Sequence, residues 1–565
     1  MTPRVDTIPR IDIPVAALVG AVGDGRNHNL RDETLKGFAH TSHYPNSMFL
    51  RSVPLLAAIA LVSIVHIARG EETLSATAVI RGDQDGGQIS RHLYGHFAEH
   101  LGRCVYGGIW VGKESPIPNT RGMRNDVLDA LKAIDIPNLR WPGGCYADDY
   151  HWRDGIGPPE KRPKRINIHW GQVVDTNAFG THEFMDLCEL IGAEPYLAGN
   201  VGSGTPQEMR DWIEYLTFDG DSELATLRRK NGREKPWKIQ YFGVGNENWG
   251  CGGNMRPEEY ASLYRQFATY CRDFSGNRLT RVACGPNGDD TNWTNVVMDS
   301  AAGHMQALSL HYYTVAAPWD EKLPATGFDE DKWFSILKES LRMDEILRDT
   351  TEIMDRTDAA KRVGLFVDEW GTWYRAEQGM PDDLLYQQNT IRDALVAALT
   401  LHIFHDHCDR VRMANIAQTV NVLQAPILTD GEKMLLTPTY HVYQMFKVHQ
   451  DAKRLPVELT TSEYRHGDET IPAASVSASR DGEGVVHISI VNVHAMLDLE
   501  LSCELTGLNA STVEGQILTS PSLDGHNTFD APAEVQPMPF HGASSAEGSL
   551  KVRVPPRSVI VLELK

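Results

Sequence analysis

The sequence predicts an α/β protein: a (β/α)8 TIM barrel with an appended antiparallel β-sandwich domain. Three observations carry this. Between residues 89 and 437 eight short apolar runs alternate with amphipathic helical ones. No glycine-rich G-x-G-x-x-G turn follows the first run, which disfavours a doubly wound dinucleotide fold. Beyond residue 438 the texture changes to short alternating runs bounded by Gly, Pro, Asp and Ser.

The elements follow in order. Residues 73–88, which include ATAVIR, read as a strand that joins the sandwich before the chain enters the barrel. The eight barrel strands are expected at HLYGHF (92–97), IPNLRWPGG (136–144), EPYLAGN (194–200), KIQYFGVGNE (238–247), RVACGPN (281–287), ALSLHYY (307–313), VGLFVDEW (363–370) and VRMANIAQ (411–418). The clearest helix is PEEYASLYRQFATYCR, where Tyr260, Leu263, Tyr264, Phe267, Ala268 and Cys271 share one face, and Pro257 and two glutamates mark its start. The barrel occupies 89–437. Residues 438–565, with GVVHISIVNV and SLKVRVPPRSVIVLELK, complete the sandwich.

Charge and composition narrow the function. Acidic residues outnumber basic ones 75 to 54, for a net charge of −21 over 565 residues, so the protein repels polyanions and nucleic acid is excluded as a partner. From Met48 a basic start (Arg51), an apolar run from Val53 to Ile67 and small residues at Ala68 and Gly70 have the layout of a signal peptide over 48–70. The run is short for a membrane anchor and contains Pro54 and His66. The expectation is an exported, periplasmic or secreted protein without a stable membrane anchor, preceded by a non-native or disordered extension at 1–47. Eight cysteines, none in C-x-x-C spacing, are too sparse for a disulfide framework and read mostly as small buried apolar residues. In HDHC, His405 to Cys408, the close spacing turns the donors to different helix faces, which argues against a metal site.

In a barrel of this kind the active site lies at the carboxyl ends of the strands. The fourth strand ends Gly245-Asn246-Glu247 and the seventh Asp368-Glu369-Trp370. Taken singly, each glutamate would be a surface carboxylate or an ion-pair partner. Two that converge over one barrel mouth suit a retaining glycosidase, whose carboxyl groups lie ~5–5.5 Å apart. Trp249, Trp370 and Trp373 offer flat faces for a sugar ring, and Glu99, Arg140, Asn200, His311, Tyr313 and Gln418 recur at other strand ends. Together they suggest a carbohydrate pocket.

HFAEHLGRCVYGGIW, LRWPGGCYADDYHWRDGIGP, FGVGNENWGCGG, SLHYY, FVDEWGTWY and NIAQTVNVLQAPI, in that order, closely resemble glycoside hydrolase family 51, the α-L-arabinofuranosidases. The resemblance runs from about residue 76 to the final VLELK. It implies retaining double displacement with Glu369 as nucleophile and Glu247 as acid/base. Glu99, Asn246, Tyr313 and Gln418 would hold the arabinofuranose hydroxyls, with Trp170 and Trp373 packed nearby. It further implies an arabinofuranose-containing oligo- or polysaccharide as substrate, no metal or organic cofactor, and a homo-oligomer such as a hexamer. One position departs: where many members read P-G-G-N, this chain has Cys145, and a thiol cannot reproduce an amide's two-sided hydrogen bonding. Either another group binds that hydroxyl or the subsite preference changes. Within the same barrel an endo-β-glucanase or xylanase is the rival activity. A catalytically silent sugar-binding protein is disfavoured by the presence of both glutamates.

Overall fold

The computed structural model describes residues 73–508, 512–546 and 548–565. The assignments at 1–47 and 48–70 therefore lie outside the described residues. Among the described residues no helix is long and apolar enough to cross a membrane.

Eight strands, Gly95–Phe97, Asn138–Trp141, Glu194–Gly199, Tyr241–Val244, Thr280–Ala283, Ala307–Thr314, Gly364–Thr372 and Val411–Ala417, close into a barrel. Every neighbouring pair is parallel. Each falls on one of the eight runs read from the sequence. Alternate side chains point inward, and Tyr196, Tyr241, Val282, Ala307, Phe366 and Met413 form an inner plug that seals the lumen. Tyr196 also reaches the site, its hydroxyl donating to Asp368 at 2.6 Å.

The helix Pro257–Tyr270 shows how the barrel holds its fourth strand. Pro257 sits in the first turn, where its missing N–H costs nothing, and Glu259 accepts from the Arg256 N–H at 2.8 Å. The buried face carries Tyr260, Tyr264, Phe267 and Ala268. Tyr260 donates its hydroxyl to the Val244 carbonyl at 2.7 Å, fastening the helix to the end of the fourth strand. The helix stops at Tyr270, so Cys271 caps it instead of extending its apolar face.

Two expectations for the C-terminal region need correction. Residues Pro438–Phe446 form a helix, because Pro438 opens it and Tyr440, Val442, Tyr443, Met445 and Phe446 bury against the barrel. The sandwich strands begin later, at Lys453. The sandwich is also not wholly antiparallel. Leu74–Arg81 pairs antiparallel with Val457–Thr461 but parallel with Leu499–Thr506, as a strand delivered from the other end of the chain can.

Strand Ala474–Arg480 joins the two layers. Ala474, Val476 and Ala478 enter the sandwich core, while Ser475, Ser477 and Ser479 face the barrel. There each serine meets a buried histidine: His402 Nδ1 lies 2.9 Å from Ser475 Oγ, His405 Nδ1 2.9 Å from Ser477 Oγ, and His449 Nδ1 2.8 Å from Ser479 Oγ. His402 Nε2 and His405 Nε2 are also bonded, to Ser489 and Tyr94 at 2.8 Å each. The first part of HDHC is thus a domain-interface contact, and His407 lies 2.8 Å from Asp344.

Candidate active site

The carboxyl ends of the barrel strands converge on a narrow pocket of about 40 Å³, lined by Glu99, Cys145, Trp170, Glu247, Tyr313, Glu369, Trp373 and Gln418 with Leu101, Leu385 and Leu423 as apolar walls. A site this confined suits one sugar better than a run of them. A larger cavity, about 810 Å³, lies elsewhere, between the helix Pro438–Phe446 and the sandwich. Its carboxylates Glu514 and Glu563 stand on sandwich strands beside Lys565, which engages both.

Glu369 lies near the carboxyl end of the seventh strand, buried. Arg140 Nη1 donates to its Oε1 and the Tyr313 hydroxyl to its Oε2, both at 2.8 Å. Arg140 is itself buried, over the Phe97 ring at 4.8 Å, and donates through Nη2 to Asn246 Oδ1 at 2.5 Å. Asn246 keeps its amide nitrogen buried and unbonded, a donor available to a substrate hydroxyl. Against the burial that would neutralise it, the carboxylates Asp368 and Glu369 raise the affinity of Arg140 for its proton.

Glu247 follows the fourth strand in a tight loop. Its φ is +43°, and its carbonyl accepts from the Gly250 and Gly252 N–H groups at 2.7 and 3.1 Å. A left-handed non-glycine residue stores roughly 1–3 kcal/mol of strain, and such residues concentrate at functional sites. Gly245 makes the loop possible: its φ is +92°, and a Cβ there would meet the Asn248 side chain at 2.1 Å. His311 Nδ1 lies 2.9 Å from Glu247 Oε1, with its Nε2 3.2 Å from Asp368. Burial and the negative Glu369 push Glu247 above the usual carboxylate range. Burial alone would depress His311, but Glu369, Asp368 and Glu247 around it raise it to about 10, so it is a cation among three acids. One oxygen of Glu247 and one of Glu369 lie within 4.8 Å of each other and of His311.

Glu99 and Gln418 form a reciprocal pair: Gln418 Nε2 donates to Glu99 Oε2 at 3.0 Å and the Glu99 N–H to Gln418 Oε1 at 3.2 Å. Trp170 Nε1 and the Tyr146 N–H donate to Glu99 Oε1, both at 3.0 Å. Burial and Glu369 push Glu99 up to about 7 against these donors. Trp373 stands edge-on to Tyr313, ring centroids 5.0 Å apart. The P-G-G turn is steric in origin, since a Cβ on Gly143 would lie 2.5 Å from Glu99 Cγ and one on Gly144 2.7 Å from Glu369 Oε1.

Some sequence candidates fall elsewhere. Asn200 organises its own turn, accepting from the Ser203 and Gly204 N–H groups at 2.9 Å and donating to Tyr150 O, and does not line the pocket. Trp370 points outward onto Phe404 and is core, because it alternates with inward Glu369. Trp249 is tied to the Gly285 carbonyl. Cys145 carries no thiol: it is bridged to Cys251, 106 residues away. Asp148, not anticipated, is the other fastener of this region. It accepts from the backbone of Val201, Gly202 and Asn246 and from Asn248 Nδ2. Its only sequence signal is its place as the first of two aspartates after P-G-G-C-Y-A.

Among the described residues two clusters have donor atoms close enough for a metal, Cys145–Glu247–Cys251 and Glu247–His311–Glu369. In the first the sulfurs are joined to each other. In the second the Arg140 and His311 cations already balance the carboxylates, which suits a substrate pocket better than a cation site.

Comparison with known proteins supplies the family. A model described as the alpha-L-arabinofuranosidase 1 domain matches residues 130–326, and one described as the alpha-L-arabinofuranosidase C-terminal domain matches residues 368–558. An intracellular exo-alpha-L-arabinofuranosidase of Bacteroides ovatus is 51% identical, over 87% of this chain and 96% of its own. The crystal structure of the GH51 arabinofuranosidase from Xanthomonas axonopodis pv. citri is 51% identical, with a TM-score of 0.86 over 87% of this chain and all of that one. The alpha-L-arabinofuranosidase from Thermotoga maritima, in its arabinose complex, is 31% identical with a TM-score of 0.77 over 87% and 100% of the two chains. The Bacteroides ovatus relative also overturns the export expectation: a protein this similar is named intracellular. An apolar run the length of Val53–Ile67 has the composition of a signal core and of other apolar segments alike, so it does not decide the matter. With its barrel, its appended β domain and its paired strand-end glutamates, the chain belongs to the α-L-arabinofuranosidases of glycoside hydrolase family 51.

Proposed function

We propose that this protein is a retaining, exo-acting α-L-arabinofuranosidase that releases terminal arabinofuranose from arabinan, arabinoxylan or arabino-oligosaccharides. The observation that carries this is the approach of Glu247 and Glu369 within 4.8 Å at the base of a small pocket, which suits nucleophilic attack and leaves no room for the water of an inverting enzyme. Glu369, held by Arg140 and Tyr313, attacks the anomeric carbon. Glu247 donates its proton to the departing oxygen. Once Glu369 is esterified its negative charge is gone, the affinity of Glu247 for a proton falls, and it becomes the base that activates water. Asn246 Nδ2 and the Glu99–Gln418 pair bind ring hydroxyls, and Trp170 and Trp373 close the sides.

Aryl glycosides and arabinose-containing polymers assayed with the purified protein test the proposal. Free arabinose should be the sole early product, with its first-formed anomer of retained configuration by NMR. Oligosaccharides as early products, or inversion, would refute it. We further propose a homo-oligomer, a hexamer by family likeness. The exposed Ile166, Ile168, Val173 and Val174 on the 165–175 hairpin support an apolar contact between copies, and light scattering checks it.

A further inference from the structure

The position where the family motif departs, Cys145, is bridged to Cys251, and both sulfurs abut the same carboxylate oxygen: Cys145 Sγ is 3.7 Å and Cys251 Sγ 3.3 Å from Glu247 Oε2. The other oxygen, Oε1, is taken by His311 Nδ1 at 2.9 Å. A disulfide sulfur carries no hydrogen, so neither contact can be a hydrogen bond to Oε2. We propose that the Cys145–Cys251 bridge is a positioning element for the acid/base: it keeps Glu247 Oε2 clear of hydrogen-bond donors, so that this oxygen carries the proton given to the leaving group. Reduction converts the bridge into two donors. A dithiol reductant supplies two electrons and two protons, the Sγ–Sγ bond breaks, two S–H bonds form, and the reductant leaves as its own disulfide. Each new thiol can donate to Oε2, which favours the carboxylate, lowers the pKa of Glu247 and leaves it protonated over a narrower pH range.

Three features make this effect local. The loops carrying Cys145 and Cys251 stay laced without the bridge, because Asp148 holds the Asn246 N–H at 2.8 Å, Asn248 Nδ2 at 3.1 Å, and the Val201 and Gly202 N–H groups. Cys145 lines the pocket and both bridged cysteines are half-buried, within reach of a small reductant. Among the described residues the other cysteines are unbridged, five of them buried, so a mild reductant acts at one place.

The inference rests on Glu247 being the acid/base, and the experiment separates the two claims. The wild type is compared bridged and reduced, with free thiols counted, alongside Cys145→Ala/Cys251→Ala, which opens the bridge without supplying donors, and Glu247→Ala. The reduced enzyme should lose its basic limb of kcat/KM about one pH unit earlier, with the loss steepest for alkoxide-like leaving groups and slight for an acidic phenol. The double alanine variant should keep the limb of the bridged enzyme. A lower melting temperature with an unchanged limb and unchanged leaving-group slope after complete reduction would mean that the bridge is merely structural, and would overturn the proposal. If Glu247→Ala itself lacks leaving-group dependence, the acid/base assignment fails and the proposal falls with it.

Discussion

Arg140 and Glu369 form an ion pair at 2.8 Å with both side chains almost wholly buried, and the same guanidinium reaches Asn246, next in sequence to Glu247. One cation thus sets Glu369 against the loop of Glu247. Arg140→Lys keeps the charge but loses the fork. Its kcat should fall roughly 10²–10³-fold, as when one preorganised donor is removed. A kcat within a factor of two of wild type would deny Arg140 this role.

The two glutamates should be separable by substrate. Glu369→Ala should lose several orders of magnitude on every substrate, because the attacking atom is gone. Glu247→Ala should retain cleavage of an aryl arabinofuranoside with an acidic phenol far better than that of an oligosaccharide, and should accumulate the covalent intermediate. Added azide should then restore turnover and give an arabinofuranosyl azide of retained configuration. Seeing these signatures with Glu369→Ala instead would reverse the roles.

Gly144→Ala should injure the nucleophile. Its Cβ would lie 2.7 Å from Glu369 Oε1 and 3.3 Å from Phe97, so the carboxylate must shift, and misplacement by about 1 Å can cost ~10²-fold in rate. Gly482→Ala, with open space around the new carbon, is the control and should be silent. Equal activity of the two variants would contradict the packing.

Acid should weaken the contact between barrel and sandwich. Burial lowers His402 to about 3 and takes His405 and His449 well below the ordinary value. These rings are neutral in the fold but gain a proton in the unfolded chain near pH 6.5, so the unfolded state binds more protons as pH falls and stability drops with it. Each contributes about 2 kcal/mol of destabilisation at pH 5 relative to pH 8. Denaturant melts across that range should show the slope, and His402→Gln should flatten it.

The legibility of the sequence followed its periodicities. All eight barrel strands and the Pro257 helix were readable because apolar spacing and a Pro-Glu-Glu start are local signals. Glu247 and Glu369 were readable because a carboxylate ending an apolar strand has few structural uses. Trp370 lies on the core side because one position of alternation separates core from pocket, and Asn200 closes its own turn because a turn-forming amide has the same sequence signature as a ligand. The helix at Pro438–Phe446 gives no clear start in the sequence because its run is too short for its helical period to stand out from the alternating strands that follow. The Cys145–Cys251 bridge and the reach of Asp148 across three loops left no local trace, since they join residues that only the closed barrel brings together.

The strand Leu74–Arg81 is the first of the described elements to be synthesised, yet both of its partners, Val457–Thr461 and Leu499–Thr506, are made after the whole barrel. On the ribosome it must wait as an open edge, with Ala76, Ala78 and Ile80 uncovered. The sandwich therefore cannot be released as an independent module by cutting the chain after the barrel. A fragment beginning near Lys453 lacks an inner strand of one sheet, the one between Val457–Thr461 and Leu499–Thr506, and should be insoluble unless the segment around Leu74–Arg81 is supplied in trans.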